Sequence, residues 1–192
     1  MIPFAPLPDT RRIVASLESA PVSELISTIN KKSQNLHTEM LLRLLGARRS
    51  GVGTQESGAE AVEEFLHRMG MRPEAWQLQD ASGLSGSDLL SPHEMVTLLV
   101  AMDGHPHAAA FRASLPVAGV DGTLDSRMKG TAAEGHVQAK TGTIRNVNAL
   151  TGYATARNGE RLAFYAVVNH HMTEGSEAVA ALDALAALLA GS

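Results

Sequence analysis

HVQAKTGTIRNVNALTGYATARNGERLAFYAVVN, residues 136–169, is the stretch that decides the fold. It divides into three strand-like runs: His136 to Thr141, Val147 to Ala156 and Leu162 to Asn169. Asn158-Gly159, between the last two, has the composition of a type I′ hairpin turn. The three runs therefore predict an antiparallel meander. An alanine-rich helix, Glu174 to Ala190, follows it.

Working back toward the N-terminus, the pattern turns helical. Val22, Leu25, Ile26 and Ile29 recur at helical spacing and predict a helix from Val22 to Lys31. Lys32-Ser33-Gln34-Asn35 breaks that pattern. A second helix is expected to carry Leu36, Met40, Leu41, Leu44 and Leu45 on one face, with Gly46 near its end. Ser50 to Ser57 reads as a loop and Gly58 to Met69 as a helix closed by Gly70. Trp76 to Gln79 reads as a short strand. Ser91-Pro92-His93-Glu94 is a helix start, with serine as the cap, proline at the first position and Glu94 reaching back as a capping box. Ala108 to Ser114 adds a short helix. Pro3, Pro6, Pro8 and Pro21 make residues 1–21 an irregular lead-in. Helices first, then a three-strand meander, then one helix: the class is α+β.

Composition narrows the function classes. The 192 residues are enough for one domain with a core and short for two. A net charge of −4 offers no footprint for nucleic acid or an anionic membrane surface. There are no cysteines, which removes disulfides and thiolate chemistry. No apolar run reaches the roughly 18 residues a membrane span needs; the closest, Ala178 to Ala190, is interrupted by Asp183. No cofactor is expected: there is no glycine-rich loop ending in G-K-[ST]. No metal site is expected either. His93-Glu94 has Thr97 where a zinc-peptidase helix needs a second histidine, and the pairs His105/His107 and His170/His171 lack i, i+4 spacing.

Two short signals carry chemistry: Ser33-Gln34-Asn35 between two helices, and Lys140-Thr141-Gly142-Thr143 at the end of a strand. S-x-x-K, an S-D-N-type triplet and K-T-G together mark penicillin-binding proteins and class A β-lactamases. Average usage yields an S-x-N by chance in roughly half of chains this long and a K-T-G in roughly one in twenty-five. Order and surroundings therefore carry the argument. A strand lined by K-T-G lets a substrate peptide add alongside it, and Gly142 leaves room for that approach. Lys140 supplies a cation for a carboxylate. Thr143 offers a hydroxyl to the same carboxylate and a backbone N–H to an oxyanion. Ser33 has the chemistry to relay a proton, and Asn35 to accept from a lysine and donate to a carbonyl. The competing reading makes Asn35 the cap of a helix beginning at Leu36.

The runs Pro6-Leu7-Pro8-Asp9, Val22-Ser23-Glu24-Leu25, Lys32 to Leu36 and Glu39 to Gly46 together resemble the D-Ala-D-Ala carboxypeptidase/endopeptidase family of class C penicillin-binding proteins. So do Asp80-Ala81-Ser82-Gly83-Leu84-Ser85, Gly122-Thr123-Leu124, Gly135 to Thr143 and Gly152-Tyr153. The resemblance covers nearly the whole chain in the family's order and spacing, and residues 1–192 are read as one C-terminal part of such a domain. It implies part of a penicillin-recognising serine transferase (β-lactamase-like) fold. It also implies a serine acyltransferase acting on peptidoglycan stem peptides ending in D-Ala-D-Ala, inhibited by β-lactams and placed outside the cytoplasmic membrane. By motif match Ser33, Asn35 and Lys140 would be catalytic, and Thr141, Gly142 and Thr143 would bind substrate. Asp80 to Ser85 is read as structural support.

The family's S-x-x-K helix lies well upstream of its S-x-N triplet. None of the 32 residues before Ser33 forms that motif, so the chain is expected to lack the nucleophile and to expose apolar surface meant for burial. The one S-x-x-K in the sequence, Ser126-Arg127-Met128-Lys129, lies between the other two elements and is read as a chance match. Thr28-Ile29-Asn30-Lys31 adjoins the S-x-N triplet too closely to serve. Two rival readings follow: a non-catalytic module that docks stem peptides, and an unrelated hydrolase using Ser126 and Lys129.

Overall fold

Residues 13–192 are described by the computed structural model, so Pro3, Pro6 and Pro8 and the run Pro6 to Asp9 lie outside the described residues. Residues 13–21 are exposed and carry no regular structure. Six helices follow in chain order: α1 (Val22–Lys32), α2 (Asn35–Ser50), α3 (Gln55–Arg68), α4 (Pro92–Asp103), α5 (Ala108–Ser114) and α6 (Gly175–Gly191). The strands are β1 (Trp76–Gln77), β2 (Leu89–Leu90), β3 (Val137–Ile144), β4 (Val147–Thr155) and β5 (Arg161–Asn169). β3, β4 and β5 form the predicted antiparallel meander, in spatial order β3-β4-β5. β1 and β2 pair as a separate two-strand ribbon.

The core lies on one face of the meander. Ala178, Leu182, Ala186 and Ala190 recur every fourth residue and form the buried stripe of α6. They pack on Val137, Ala139, Leu150, Ala154, Phe164 and Ala166 of the sheet. Alanine lets the helix axis come close to the strands, so a core with few aromatics is still tightly filled. On the other face, Tyr153 meets Leu99 of α4 and Leu115, with Phe111 of α5 packed against them. That second layer covers only one end of the sheet.

Several local readings differ from the structure. Gly46 does not end α2, which continues to Ser50 and stops at Gly51. Gly46 lies instead where α2 crosses α3: a Cβ there would come within 2.8 Å of the Gly58 nitrogen, and one on Gly58 would overlap the Leu42 carbonyl oxygen. The predicted apolar face of α2 forms, but Leu36, Met40, Leu44 and Leu45 are exposed while Leu42 and Gly46 face inward. That exposed stripe is apolar surface of the kind the sequence led us to expect.

The β4–β5 loop is also different. Gly159 N–H donates to the Ala156 carbonyl at 2.9 Å, which makes Arg157 and Asn158 the central turn residues. Within that loop only Gly159 has a positive φ, +86°, whereas a type I′ turn needs two central residues there. Asn158 Oδ1 accepts from the Glu160 N–H at 2.8 Å and fixes this wider, three-residue form. By contrast, Gly70 closes α3 as predicted. Met71 N–H reaches the Leu66 carbonyl and Gly70 N–H the His67 carbonyl, a Schellman pattern with Gly70 at φ +87°.

Ser91 caps α4 by accepting from Glu94 N–H at 3.3 Å, but the capping box does not close. The Glu94 carboxylate, 1% exposed, turns to Arg72 and accepts from its Nε at 2.8 Å and its backbone N–H at 2.9 Å. These bonds hold the Glu94 carboxyl below the usual carboxylate range, the side-chain bond first and the backbone bond second. A depressed carboxyl contributes stability that is present above its unfolded value, about 4.3, and is lost as pH falls through the folded one. Glu94→Gln is therefore expected to be less stable than wild type at neutral pH, with the difference shrinking below about pH 4. Urea midpoints measured across that range check it; a pH-independent difference would contradict it.

Candidate active site

The site begins where α1 ends. Its last turn is fixed to the end of α5 and the segment after it by long-range contacts. Asn30 Nδ2 donates to Ser114 Oγ at 2.8 Å. Lys31 Nζ donates to the Leu115 carbonyl at 2.9 Å and to both oxygens of Asp121 at 2.9 and 2.7 Å. Ser33 follows as the helix cap in the left-handed region, φ 55° and ψ 58°, a conformation few non-glycine residues adopt. It turns the chain so that α2 starts at once with Asn35. Asn35 is thus inside α2, not before it. The residue at the cap is Gln34, which makes no side-chain capping bond. The capping reading of Asn35 does not hold.

The K-T-G-T run lies inside β3, which continues three residues beyond its predicted end. Among the described residues β3 is an edge strand, and its edge is open along only part of its length. Ala118 N–H donates to the Val137 carbonyl and Ala139 N–H to the Pro116 carbonyl, both at 2.9 Å, closing the first half. Because alternate residues of a strand face the same edge, Thr141 and Thr143 present their backbone groups to the open half. Lys140 and Gly142 project from the opposite parity.

Lys140 Nζ donates to Ser33 Oγ at 2.8 Å, joining residues 107 positions apart. It also donates to the Thr141 carbonyl at 2.7 Å. Burial lowers the pKa of this ammonium from the ordinary lysine value. Thr141 Oγ1 pairs with Thr123 Oγ1 at 2.9 Å, tying the strand to the short 3₁₀ turn Gly122–Leu124. Thr143 is exposed, and its Oγ1 accepts from Asn148 Nδ2 at 3.2 Å. The structure thus brings Ser33 directly to Lys140. Asn35, half-buried, lies two residues along in the first turn of α2.

Gly142 and Thr143 also line a cleft of about 870 Å³ on the sheet face that α6 does not cover. Its other walls are largely apolar, among them Leu66, Leu90, Leu98, Ile144, Val147 and Val167. The Asp80 to Ser85 turn forms part of the rim. Asp80 accepts from the N–H groups of Gly83 and Ser85, while Glu39 of α2 accepts from those of Ala81 and Ser82. The Asp80 bonds close the turn on itself, and the Glu39 bonds hold it against α2. Ser126 and Lys129 are both exposed on non-helical turns, with Met128 between them at φ 60° and no hydrogen bond joining the pair. Among the described residues no cluster of three His, Asp or Glu side chains forms that could hold a metal ion.

Thr123, Asn148 and His171 are site neighbours that the sequence did not reveal. Asn148 could have been found from the hairpin: a two-residue loop, Arg145-Asn146, sets Ile144 opposite Val147 and so Thr143 opposite Asn148. No local signal marks Thr123, whose partner is 18 positions away.

Comparison with known proteins bears on the family and the fold. D-alanyl-D-alanine carboxypeptidase of Actinomadura sp. (strain R39) is 43% identical over 183 residues, covering 93% of this chain and 34% of that protein. Carboxypeptidase DacB of Mycolicibacterium smegmatis is 32% identical over 182 residues, 92% of this chain and 39% of that one. The crystal structure of penicillin binding protein 4 (dacB) from Haemophilus influenzae superposes with a TM-score of 0.74 at 30% identity, covering 80% of this chain and 35% of that one. This chain therefore spans little more than a third of the length of these relatives. The profile of the D-Ala-D-Ala carboxypeptidase 3 (S13) family matches residues 2–189, and with the shared fold and the site assembled on the edge strand it follows that the chain belongs to that family.

Proposed function

We propose that these residues form the substrate-binding and proton-relay part of a serine-type D-Ala-D-Ala carboxypeptidase. The observation that carries the reading is the Lys140 Nζ–Ser33 Oγ bond of 2.8 Å beside the open half of an edge strand. A stem peptide would lie along Thr141 and Thr143 as an added strand. Its C-terminal carboxylate would meet the Lys140 ammonium and the Thr143 hydroxyl, in a partly desolvated setting where that attraction is strengthened. A serine oxygen attacks the carbonyl of the penultimate D-alanine, and the oxyanion takes the Thr143 N–H. The C–N bond then breaks, the terminal D-alanine leaves as an amine that receives its proton through Ser33, and water hydrolyses the ester. Asn35 orients the substrate amide. β-Lactams would acylate the same serine.

The nucleophilic serine and its lysine are proposed to come from a segment outside these 192 residues, packed in the apolar cleft that Gly142 and Thr143 line. Its apolar walls and the relatives' greater length support that placement. The substrate would be cell-wall peptide, met outside the cytoplasmic membrane; among the described residues no helix is long and apolar enough to cross one.

Fluorescent penicillin with intact-mass detection tests this. The 192-residue chain is expected to give no covalent adduct, and a longer chain carrying an upstream S-x-x-K is expected to be labelled on that serine. An adduct on Ser33 or Ser126 of the short chain would overturn the nucleophile assignment. No adduct on the longer chain, with saturable binding of a D-Ala-D-Ala peptide and no turnover, would favour a docking module instead.

A further inference from the structure

Thr143, Asn148 and His171 form a hydrogen-bond chain that ends on the proposed carboxylate contact. Asn148 is 5% exposed and sits opposite Thr143 in a pair that lacks mutual backbone bonds, the kind of pair whose side chains approach most closely. Both ends of its amide are engaged: Nδ2 with Thr143 Oγ1 at 3.2 Å, and Oδ1 with His171 Nε2 at 2.8 Å. His171 is itself fixed. Its backbone N–H donates to the Asn146 carbonyl at 3.1 Å, and its Nδ1 lies 3.2 Å from the Thr173 carbonyl.

A threonine hydroxyl has one proton and two lone pairs. If the amide donates to Thr143, the hydroxyl proton stays free for an incoming carboxylate. If the amide is turned over, its oxygen takes that proton and the hydroxyl meets the carboxylate with lone pairs only. Which arrangement holds depends on His171. A proton on Nε2 fixes Oδ1 toward the ring and Nδ2 toward Thr143; a proton on Nδ1 alone would favour the reverse. Nε2 faces the Asn148 amide at 2.8 Å, while Nδ1 lies 3.2 Å from the Thr173 carbonyl, which can only accept; a proton on Nε2 is what turns Oδ1 toward the ring, and an imidazolium, with protons on both nitrogens, serves both contacts.

We propose that Asn148, locked by His171, is a positioning residue that keeps the Thr143 hydroxyl proton free for the peptide's C-terminal carboxylate. The proposal rests on the carboxylate-binding role assigned above to Thr143. It also predicts where specificity for a free C-terminus resides: a peptide amidated at that end gains nothing from the chain.

Two measurements separate this from the failure of the underlying function. The first needs no substrate. Long-range ¹H–¹⁵N spectra of the histidine-labelled 192-residue chain should show His171 protonated at Nε2, with the pattern altered in Asn148→Ala. A ring protonated only at Nδ1 overturns the proposal whether or not the protein is an enzyme. The second uses the complete enzyme and a D-Ala-D-Ala peptide. Asn148→Asp, which can only accept, should raise KM about tenfold, the effect expected when a hydrogen bond to a charged group is lost, with kcat much less affected. His171→Phe should raise KM severalfold, and His171→Gln, which keeps a donor, should restore it. Unchanged KM in Asn148→Asp, or equal effects of Phe and Gln at position 171, overturns the proposal. No turnover by the wild type would instead count against the carboxypeptidase reading, and the spectra would still decide the chain.

Discussion

Lys140→Ala is expected to lower the rate of acylation by a fluorescent penicillin by about a hundred- to a thousandfold in the complete enzyme, the range seen when one preorganised donor is lost from an acyl-transfer site. The magnitude follows from the number of tasks placed on one atom. Lys140 Nζ holds Ser33 Oγ at 2.8 Å and the Thr141 carbonyl at 2.7 Å. In the proposed reading it is also the cation that meets the substrate carboxylate, and it is partly withdrawn from water. Alanine removes all three functions together and leaves Ser33, in its left-handed conformation, without the contact that aims its hydroxyl. Lys140→Arg should recover little, because a planar guanidinium presents its donors in a fixed fork and cannot take the place of a point ammonium. Folding should be nearly unaffected, within about 0.5 kcal/mol, since burial works against this ammonium. Ser126→Ala serves as the control and should acylate at the wild-type rate. Normal acylation of Lys140→Ala would remove Lys140 from the mechanism.

Gly152→Val is expected to be the most damaging single change to stability among those considered, costing more than about 3 kcal/mol. Gly152 lies on the central strand opposite Ala139. A Cβ there would overlap the Gln138 carbonyl oxygen and come within 2.7 Å of the Ala139 Cα. Those are backbone atoms of β3, pinned from the other side by Pro116 and Ala118. Neither strand has a flexible side chain to move aside, so relief requires separating β3 from β4. Small domains are stable by only about 5–15 kcal/mol, so a loss of this size is a large share of the total. Urea denaturation should show the lower midpoint, and Gly152→Ala should move it in the same direction by less. Separation of the two strands would also displace Lys140, so acylation should fall with stability rather than independently of it. A variant as stable as wild type would show that the sheet yields where the geometry says it is rigid.

How far the sequence reached differs from element to element. Strand and helix identities in the last third were legible because each is a local pattern: alternation in residues 136–169, and an apolar stripe repeating every fourth residue from Ala178 to Ala190. Gly70 was legible for the same reason, since a helix end is settled by a few neighbouring residues. Gly46 was misread because its role is set by α3 crossing above it. Glu94 was misread because Arg72, 22 residues earlier, competes successfully for its carboxylate. The Asn158-Gly159 turn was placed correctly but typed wrongly, the local bond from Glu160 to Asn158 selecting a longer loop.

By itself, then, the sequence determined the α+β class, the order of elements and the two short motifs, all of which depend on residues close together in the chain. The tertiary structure alone decided that Ser33 and Lys140, 107 residues apart, meet at 2.8 Å. It also decided that, among the described residues, only the second half of the β3 edge is open, and that Thr143 is backed by Asn148 and His171. The physical reason is the range of the interactions. Propensity and periodicity are summed along neighbouring residues, whereas a hydrogen bond between distant side chains exists only after packing has fixed both backbones.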